Sequence, residues 1–217
     1  KEKGFFGGHG IVGAQVSLGT GLGFSNWYRE TDNVSLTYFG EGASNQGQVY
    51  ESFNLANLMK LPVVFIIENN RYSMGTSIER SSASRDLSLN GVPWGMPSLS
   101  VDGMDVMAVK AAGEVAVAHC RAGKGPFLLE MKTYRYRGHS MSDPAKYRTR
   151  EEVQRMRAEH DCLDSAKKHL EDLGVQEAAL KALDDKVKAR VAEAAEFAQA
   201  SPEPEEAEIW TDILVGG

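Results

Sequence analysis

The sequence predicts an α/β fold in which a mostly parallel sheet is flanked by helices. Three short apolar runs, rich in branched and aromatic residues, predict strands at residues 34–39, 62–67 and 127–131. The runs lack the alternation of a half-exposed strand, so we expect them to be buried on both faces, as in parallel sheets. Neighbouring segments predict helices at residues 12–28, 46–59 and 106–122. This alternation of strands and helices indicates an open α/β sheet.

The composition is that of a globular protein with a sizeable core. The 217 residues are 42% hydrophobic and 25% charged, with a formal net charge of −6. Nucleic-acid-binding proteins are usually basic, so the acidic balance argues against that class. No run approaches the roughly 20 apolar residues of a membrane-spanning helix. Cys120 and Cys162 form no paired motif, which is typical of reduced thiols in an intracellular protein.

The last third of the chain predicts a helical extension. Thr149 and Glu152 resemble a capping box that begins a helix, which we expect to end at Gly174. A second helix is predicted to end at Ser201, before a proline, and the tail 209–215 predicts a short strand or docking segment. We therefore predict two domains, an α/β domain at 1–147 and a helical extension at 148–217.

An acidic residue between two glycines, Gly40-Glu41-Gly42, follows the first predicted strand. Ligands of open α/β sheets bind at this carboxyl edge. The glycines would let the backbone turn sharply and approach a bulky anion, and the N-terminus of the next helix would favour a diphosphate. The carboxylate of Glu41 could hold the cation that neutralises such a diphosphate.

The second predicted strand ends in a pair of asparagines, Asn69-Asn70, followed by Arg71 and Tyr72. The ends of neighbouring parallel strands can converge on one metal although they are distant in sequence. Mg²⁺ prefers oxygen ligands and is often shared with substrate phosphates. A carboxylate from Glu41, an amide oxygen from Asn70 and a backbone carbonyl near Tyr72 would supply three ligands. Each motif alone is typical of a turn, but together they predict a cation and anion site.

At these residues the sequence resembles the thiamine diphosphate enzymes, whose signature is a Gly-Asp-Gly turn followed by Asn-Asn about one strand–helix–strand unit later. Four longer stretches resemble the alpha subunits of the 2-oxoacid dehydrogenases, in particular the bacterial-type pyruvate dehydrogenase branch. They are GGHGIVGAQV, GASNQGQVYESFN, ENNRYSMGTSIER and YRYRGHSMSDPAKYRTREE. The resemblance runs from about Gly7 to the tail, and it implies the thiamine diphosphate-binding fold.

The resemblance implies a role for each matching residue. Backbone groups of Gly10 and Val12 would face the aminopyrimidine ring of thiamine diphosphate. Gly42 and Ala43 would contact its diphosphate. Magnesium would be held by Glu41, Asn70 and the Tyr72 carbonyl.

His139 would lie on a loop at the cofactor mouth, near the diphosphate and the reacting groups, and Arg135 and Tyr136 before it would help to order that loop. An imidazole near neutrality can donate to a phosphate or a developing charge, so His139 is the catalytic candidate.

Two departures from the family pattern carry expectations. Glu41 stands where the family has aspartate, and its extra methylene predicts weaker magnesium and cofactor binding at a retained site. The family's alpha subunit also extends upstream of Lys1, with a Tyr-Arg pair that grips the diphosphate and part of the sheet. We therefore expect this chain to be N-terminally truncated, and to be poorly stable and inactive alone.

The resemblance implies oxidative decarboxylation of pyruvate and reductive acetyl transfer to the lipoyl group of the acyltransferase core. The alpha chain would act with a beta subunit in a heterotetramer, the beta subunit supplying the glutamate that activates the cofactor. A bacterial cytoplasm is the expected location, with the mitochondrial matrix as the alternative. Alternative functions are an alpha subunit for acetoin or branched-chain 2-oxo acids, a non-catalytic chain that keeps the fold, and a nucleotide-binding Rossmann protein.

Overall fold

The computed structural model describes residues 4–211, and the chain divides into two compact units, Lys1–Ala166 and Lys167–Gly217. The elements of the first unit are α1 (Ala14–Tyr28), β1 (Ser35–Gly40), α2 (Gly47–Leu58), β2 (Val63–Asn69), β3 (Tyr72–Ser73), β4 (Thr76–Ser77), α3 (Ile78–Ser81), β5 (Ser98–Asp102), α4 (Val106–Arg121), β6 (Phe127–Lys132) and α5 (Arg150–His160). Helix α6 (Cys162–Asp172) spans the boundary, and α7 (Glu177–Ala200) belongs to the second unit. The predicted division into a cofactor-binding domain and a helical extension after residue 147 stays a prediction.

The four-stranded sheet has the order β1-β2-β6-β5, and every neighbouring pair is parallel. This confirms the α/β fold class and the predicted strands, whose ends shift by at most two residues. Gly40 pairs in register with Glu68 across β1 and β2. The segments that leave these two strands, which contain Glu41 and Asn70, therefore begin side by side at one edge of the sheet.

Helices α1 and α2 cover one face of the sheet and α4 the other, and each face has its own apolar core. The glycine-rich sequence of α1 predicts close packing against another helix, a chain or a ligand, whereas Gly19 and Gly23 instead pack against the sheet. A Cβ at Gly19 would lie 1.9 Å from Thr37 Oγ1, and one at Gly23 would lie 2.3 Å from Val63 Cγ2. Glycine at these positions therefore lets α1 approach β1 and β2.

Strand β1 is buried on one face, so the prediction of two buried faces is wrong for this strand. Its residues alternate between buried and exposed, and Leu36 and Tyr38 are 50% and 52% exposed. Strand β1 lies at the edge of the sheet, and α4 packs against β2, β5 and β6 instead. Leu36 and Tyr38 line a cavity of about 940 Å³ between the sheet and α4.

Two predictions for the last third of the chain need correction. The helix predicted from Thr149 to Gly174 is interrupted at Asp161, whose extended backbone separates α5 from α6. The Asp161 carboxylate accepts hydrogen bonds from the N–H groups of Leu163 and Asp164, at 2.8 and 3.3 Å, and so begins a new helix. The end at Gly174, with its φ of 89°, is confirmed.

The tail 209–215, predicted as a strand or docking segment, is described only as far as Thr211. Ile209 and Trp210 belong to a 3-10 helix, Glu206–Trp210, instead of a strand, and Thr211 lies in a turn. Residues 212–215 lie outside the described residues, and the docking segment stays a prediction. The predicted end of α7 at Ser201 is confirmed. Within residues 4–211, no helix combines the length and apolar character that a membrane crossing requires.

Candidate functional site

Glu41 lies just beyond β1 with its carboxylate directed at the turn that follows β2. It is 3% exposed. Its Oε2 accepts a hydrogen bond from the backbone N–H of Asn70 at 3.2 Å, and its Oε1 accepts one from Ser73 Oγ at 3.1 Å. A Cβ at Gly42 would lie 2.3 Å from Ser73 Oγ, so a glycine is needed where the two turns meet. The structure thus brings together Glu41 and Asn70, as predicted.

The turn after β2 presents its oxygens to the loop that carries His139. Asn70 Oδ1 accepts hydrogen bonds from the N–H of Tyr72 and from Arg135 Nη1, both at 3.3 Å. The same Nη1 donates to the Tyr72 carbonyl at 3.1 Å and lies 3.4 Å from His139 Nδ1. One guanidinium therefore links Asn70, Tyr72 and His139.

These residues supply the ligand chemistry of a magnesium site shared with a diphosphate. A carboxylate, an amide oxygen and a backbone carbonyl lie in two touching turns, and oxygen donors are what Mg²⁺ prefers. The described part of the chain contains no group of three His, Cys, Asp or Glu residues that could hold a metal unaided. The donor set therefore fits an ion that takes its other ligands from a bound phosphate.

Asp143 closes the loop around His139. Its Oδ2 accepts hydrogen bonds from the His139 N–H at 2.7 Å and from the Tyr147 hydroxyl at 2.8 Å, and its Oδ1 accepts from the Ala145 N–H at 2.8 Å. These bonds, led by the one from His139, lower the pKa of Asp143 to about 2. The charged carboxylate therefore holds the His139 backbone, while the imidazole remains exposed.

Acidification is expected to release this loop between about pH 4 and pH 2. The folded-state pKa of Asp143, about 2, lies below the ~3.9 of an unfolded chain. The stabilisation is therefore complete above about pH 4 and is lost as the pH falls through about 2. Amide exchange of residues 139–145, corrected for the intrinsic rate, should rise in this window while β2 stays protected. In Asp143→Ala the rise should already be present at neutral pH, and an unchanged loop would contradict the assignment.

The other end of the loop is anchored by Arg148 and Glu152. The Arg148 guanidinium lies over the rings of Tyr72, Tyr134 and Tyr147 and donates to the carbonyls of Arg135 and Arg137. Glu152 Oε1 accepts from Tyr134 and Tyr72 hydroxyls at 2.8 and 3.1 Å. Burial, helped by Glu152, raises the pKa of Tyr134 to about 12 and also raises that of Tyr72. Both hydroxyls therefore stay donors at neutral pH.

Glu152 was predicted as half of a capping box, and that prediction is only partly confirmed. Thr149 Oγ1 does accept from the Glu152 N–H at 3.1 Å. The Glu152 carboxylate turns instead to the tyrosines, because these buried hydroxyls need an acceptor. Arg148, which the sequence favours for anion handling together with Arg135 and Arg137, instead anchors the loop, and Ser73 and Asp143 are further contributors that sequence reasoning missed. Asp143 had a detectable signal, an aspartate before proline in a polar loop, whereas Ser73 had none.

Beneath the turn lies a buried carboxylate that the sequence did not single out. Glu130, in β6, is 0% exposed and accepts hydrogen bonds from Asn69 Nδ2 at 2.7 Å and Ser100 Oγ at 3.0 Å. Asn69 Oδ1 in turn accepts from the Arg71 N–H at 3.1 Å. Asn69, one of the paired asparagines, therefore joins the sheet to the turn that displays Asn70.

The remaining predicted cofactor residues lie in two places. Ala43 is buried in a 3-10 helix, Ala43–Asn45, that separates the glycine turn from α2, which begins at Gly47, one residue after the predicted start. Ser44 Oγ donates to the Glu41 carbonyl at 2.6 Å and closes this turn. Gly10 and Val12 are exposed before α1, and the Val12 carbonyl accepts from Gln48 at 3.4 Å. The described hydrogen bonds do not join Gly10 or Val12 to Glu41 or Asn70.

Comparison with known proteins adds independent findings. A family model described as Dehydrogenase E1 component matches residues 1–207. The chain is 64% identical over 216 residues to "Pyruvate dehydrogenase E1 component subunit alpha" of Rhizobium meliloti, covering 99% of this chain and 62% of the relative. The protein of that name from Zymomonas mobilis is 58% identical over 215 residues, covering 99% and 61%. The mitochondrial protein of Saccharomyces cerevisiae is 51% identical over 218 residues, covering 99% and 51%. The chain thus spans about half to three fifths of these relatives.

Proposed function

The chain belongs to the dehydrogenase E1 component family, and we propose that it is the alpha subunit of a pyruvate dehydrogenase. In this role it would take part in the oxidative decarboxylation of pyruvate and the transfer of the acetyl group to a lipoyl group. The relatives' names support the substrate. The observation that best supports a cofactor-binding role is the meeting of two strand ends, where the buried Glu41 carboxylate contacts the turn that contains Asn70 and Tyr72.

Thiamine diphosphate and magnesium are the proposed cofactors. When bound, thiamine diphosphate supplies a carbon nucleophile and an electron sink, which protein side chains lack. Glu41, Asn70 and the Tyr72 carbonyl would hold the magnesium, and Gly42 and Ala43 would lie against the diphosphate. Gly10 and Val12 are proposed for the aminopyrimidine half, on a segment apart from the metal ligands.

His139 is the proposed catalytic residue, and its neighbours determine its useful tautomer. A guanidinium can only donate hydrogen bonds, so the contact of Arg135 Nη1 with His139, which it shares with Asn70 and Tyr72, favours Nδ1 as the acceptor. The neutral ring then carries its proton on Nε2. Since Asp143 fixes the His139 backbone, the exposed Nε2–H can be presented to a phosphate or to an oxygen that develops negative charge.

Assembly with a beta subunit and with the lipoyl domain of an acyltransferase is part of the proposal. The name E1 component subunit alpha, carried by the relatives, supports a multi-subunit assembly. The exposed loop around His139 would face the incoming lipoyl arm. The bacterial relatives favour a bacterial cytoplasm as the location.

The test of this function is an activity assay of the full-length protein co-expressed with its beta subunit. Pyruvate, branched-chain 2-oxo acids and acetoin would be compared as substrates, each with thiamine diphosphate and Mg²⁺ present or omitted. We expect cofactor-dependent turnover with pyruvate preferred. Preference for another substrate would overturn the pyruvate assignment, and absence of cofactor binding in the assembly would overturn the enzyme assignment.

The Glu41→Asp variant is expected to bind magnesium and thiamine diphosphate about tenfold more tightly than the parent, the scale on which support of a metal site changes affinity. The shorter side chain matches the family's aspartate, whereas the extra methylene of Glu41 is accommodated by turning its carboxylate onto Asn70 and Ser73. Titration calorimetry of the intact complex measures the difference. Glu41→Gln, which loses the charge, should bind more weakly than either, and equal affinities of parent and Glu41→Asp would contradict the prediction.

A further inference from the structure

Arg135 donates to the oxygens that the proposed magnesium site requires. Its Nη1 bonds to Asn70 Oδ1 at 3.3 Å and to the Tyr72 carbonyl at 3.1 Å. Two of the three proposed ligands are therefore partners of one guanidinium. The family resemblance gave Arg135 a role in ordering the loop, but it did not connect this residue with the metal ligands.

The number of hydrogen bonds that each oxygen already accepts shows at which ligand a cation and Arg135 would compete. An amide oxygen has two lone pairs, and in Asn70 both are engaged, by the Tyr72 N–H and by Arg135. The Tyr72 carbonyl has one described donor, and each Glu41 carboxylate oxygen likewise has one. Glu41 and Tyr72 can thus add a cation to their present partners, whereas Asn70 has to release a donor first.

We infer that Arg135 competes with the divalent cation for Asn70 and thereby lowers the affinity of this site. The inference rests on the proposed function, because it takes Asn70 as a ligand. The Tyr72 N–H is a backbone group two residues away in the same turn, so the flexible Arg135 side chain is the donor that leaves. A guanidinium keeps its charge at all relevant pH values, and its repulsion of a nearby divalent ion adds to the competition.

The other contacts of Arg135 connect this exchange to His139. Nη2 donates to the Met74 carbonyl at 2.6 Å and to the Tyr147 hydroxyl at 3.2 Å, and Nη1 lies 3.4 Å from His139 Nδ1. Nε is buried and has no partner within the described residues. A guanidinium displaced from Asn70 can retain the Met74 carbonyl and the Tyr147 hydroxyl as partners of Nη2. Cation binding therefore changes the contacts of the loop around His139.

The competition is tested by Mn²⁺ binding to the full-length protein in the assembly in which it purifies, freed of metal, saturated with thiamine diphosphate and followed by electron paramagnetic resonance. Arg135→Met should bind Mn²⁺ about tenfold more tightly, since it removes a charged hydrogen bond to a ligand. Arg137→Met is the matched control, because it removes the same charge from an exposed neighbour. It should change the affinity less than about twofold, as screened surface charges do. Arg135→Lys, which keeps the charge, should fall between parent and Arg135→Met.

Equal or weaker Mn²⁺ binding by a folded Arg135→Met protein would overturn the inference and would show that Arg135 orients the ligands instead. Amide exchange gives a second readout: Mg²⁺ should alter the exchange of residues 138–147 in the parent and not in Arg135→Met. Asn70→Ala separates this inference from the proposed function. If the parent has no Mn²⁺ site that Asn70→Ala removes, the proposed metal site fails. If that site exists but Arg135→Met leaves its affinity unchanged, only the competition fails.

Discussion

The Glu130→Ala variant is expected to unfold with a free energy about 3 kcal/mol below that of the parent. The Glu130 carboxylate is 0% exposed and Asn69, its partner at 2.7 Å, is 5% exposed. Alanine would leave the Asn69 amide without its acceptor, at a cost of about 1–3 kcal/mol, and would open a cavity that adds to it. A domain is stable by only ~5–15 kcal/mol, so urea denaturation of the full protein should show a large shift.

Two variants make this result interpretable. Glu114→Ala removes an exposed carboxylate whose partner, Lys110, is on the same helix, with both side chains 66% exposed, and it should cost less than about 0.5 kcal/mol. Glu130→Gln keeps an acceptor for Asn69 and should recover most of the loss. If glutamine were as harmful as alanine, the charge of Glu130, with Lys132 Nζ 3.9 Å away, would be the source of the stability instead of the hydrogen bond.

The predictability of the fold depends on how fully a strand is buried. Strands β2 and β6 lie inside the sheet and are mostly apolar, so their positions could be predicted. Strand β5 was missed because its sequence, SLSVD, is half polar and largely exposed at the sheet edge. The interruption at Asp161 was missed for another reason: its carboxylate caps a new helix inside a segment with helical periodicity.

The candidate site, like the fold, could be predicted only in part. Glu41 and Asn70 could be paired from sequence because both follow adjacent parallel strands, and register then places them together. The bonds of Arg135 to Asn70 and Tyr72, and that of Glu152 to Tyr72, could not be predicted, because these partners lie 63 to 65 and 80 residues away. No local pattern shows which way a long side chain turns. In Glu152, the local capping pattern correctly places the backbone and misleads about the carboxylate.

The second large effect is expected at His139, where alanine should lower kcat about 100-fold or more, the scale of general acid–base and hydrogen-bond catalysis. The side chain is exposed and its one described contact is with Arg135 at 3.4 Å, whereas the His139 N–H, which donates to Asp143 at 2.7 Å, is kept in the alanine variant. The loop should therefore stay ordered, and cofactor affinity measured by calorimetry should fall by a smaller factor than kcat, because His139 is not among the proposed metal ligands.

A loss of kcat that exceeds the loss of cofactor affinity distinguishes a residue that acts in the reaction from one that only supports the structure. His139→Gln should recover part of the lost kcat, since its amide N–H can donate from near the position of Nε2, but it cannot exchange a proton as imidazole does. His160→Ala, which removes a histidine side chain 53% exposed on α5, controls for loss of an imidazole elsewhere. If His139→Ala kept kcat and instead lost cofactor affinity, His139 would belong to the binding site alone, and the proton would have to come from another group.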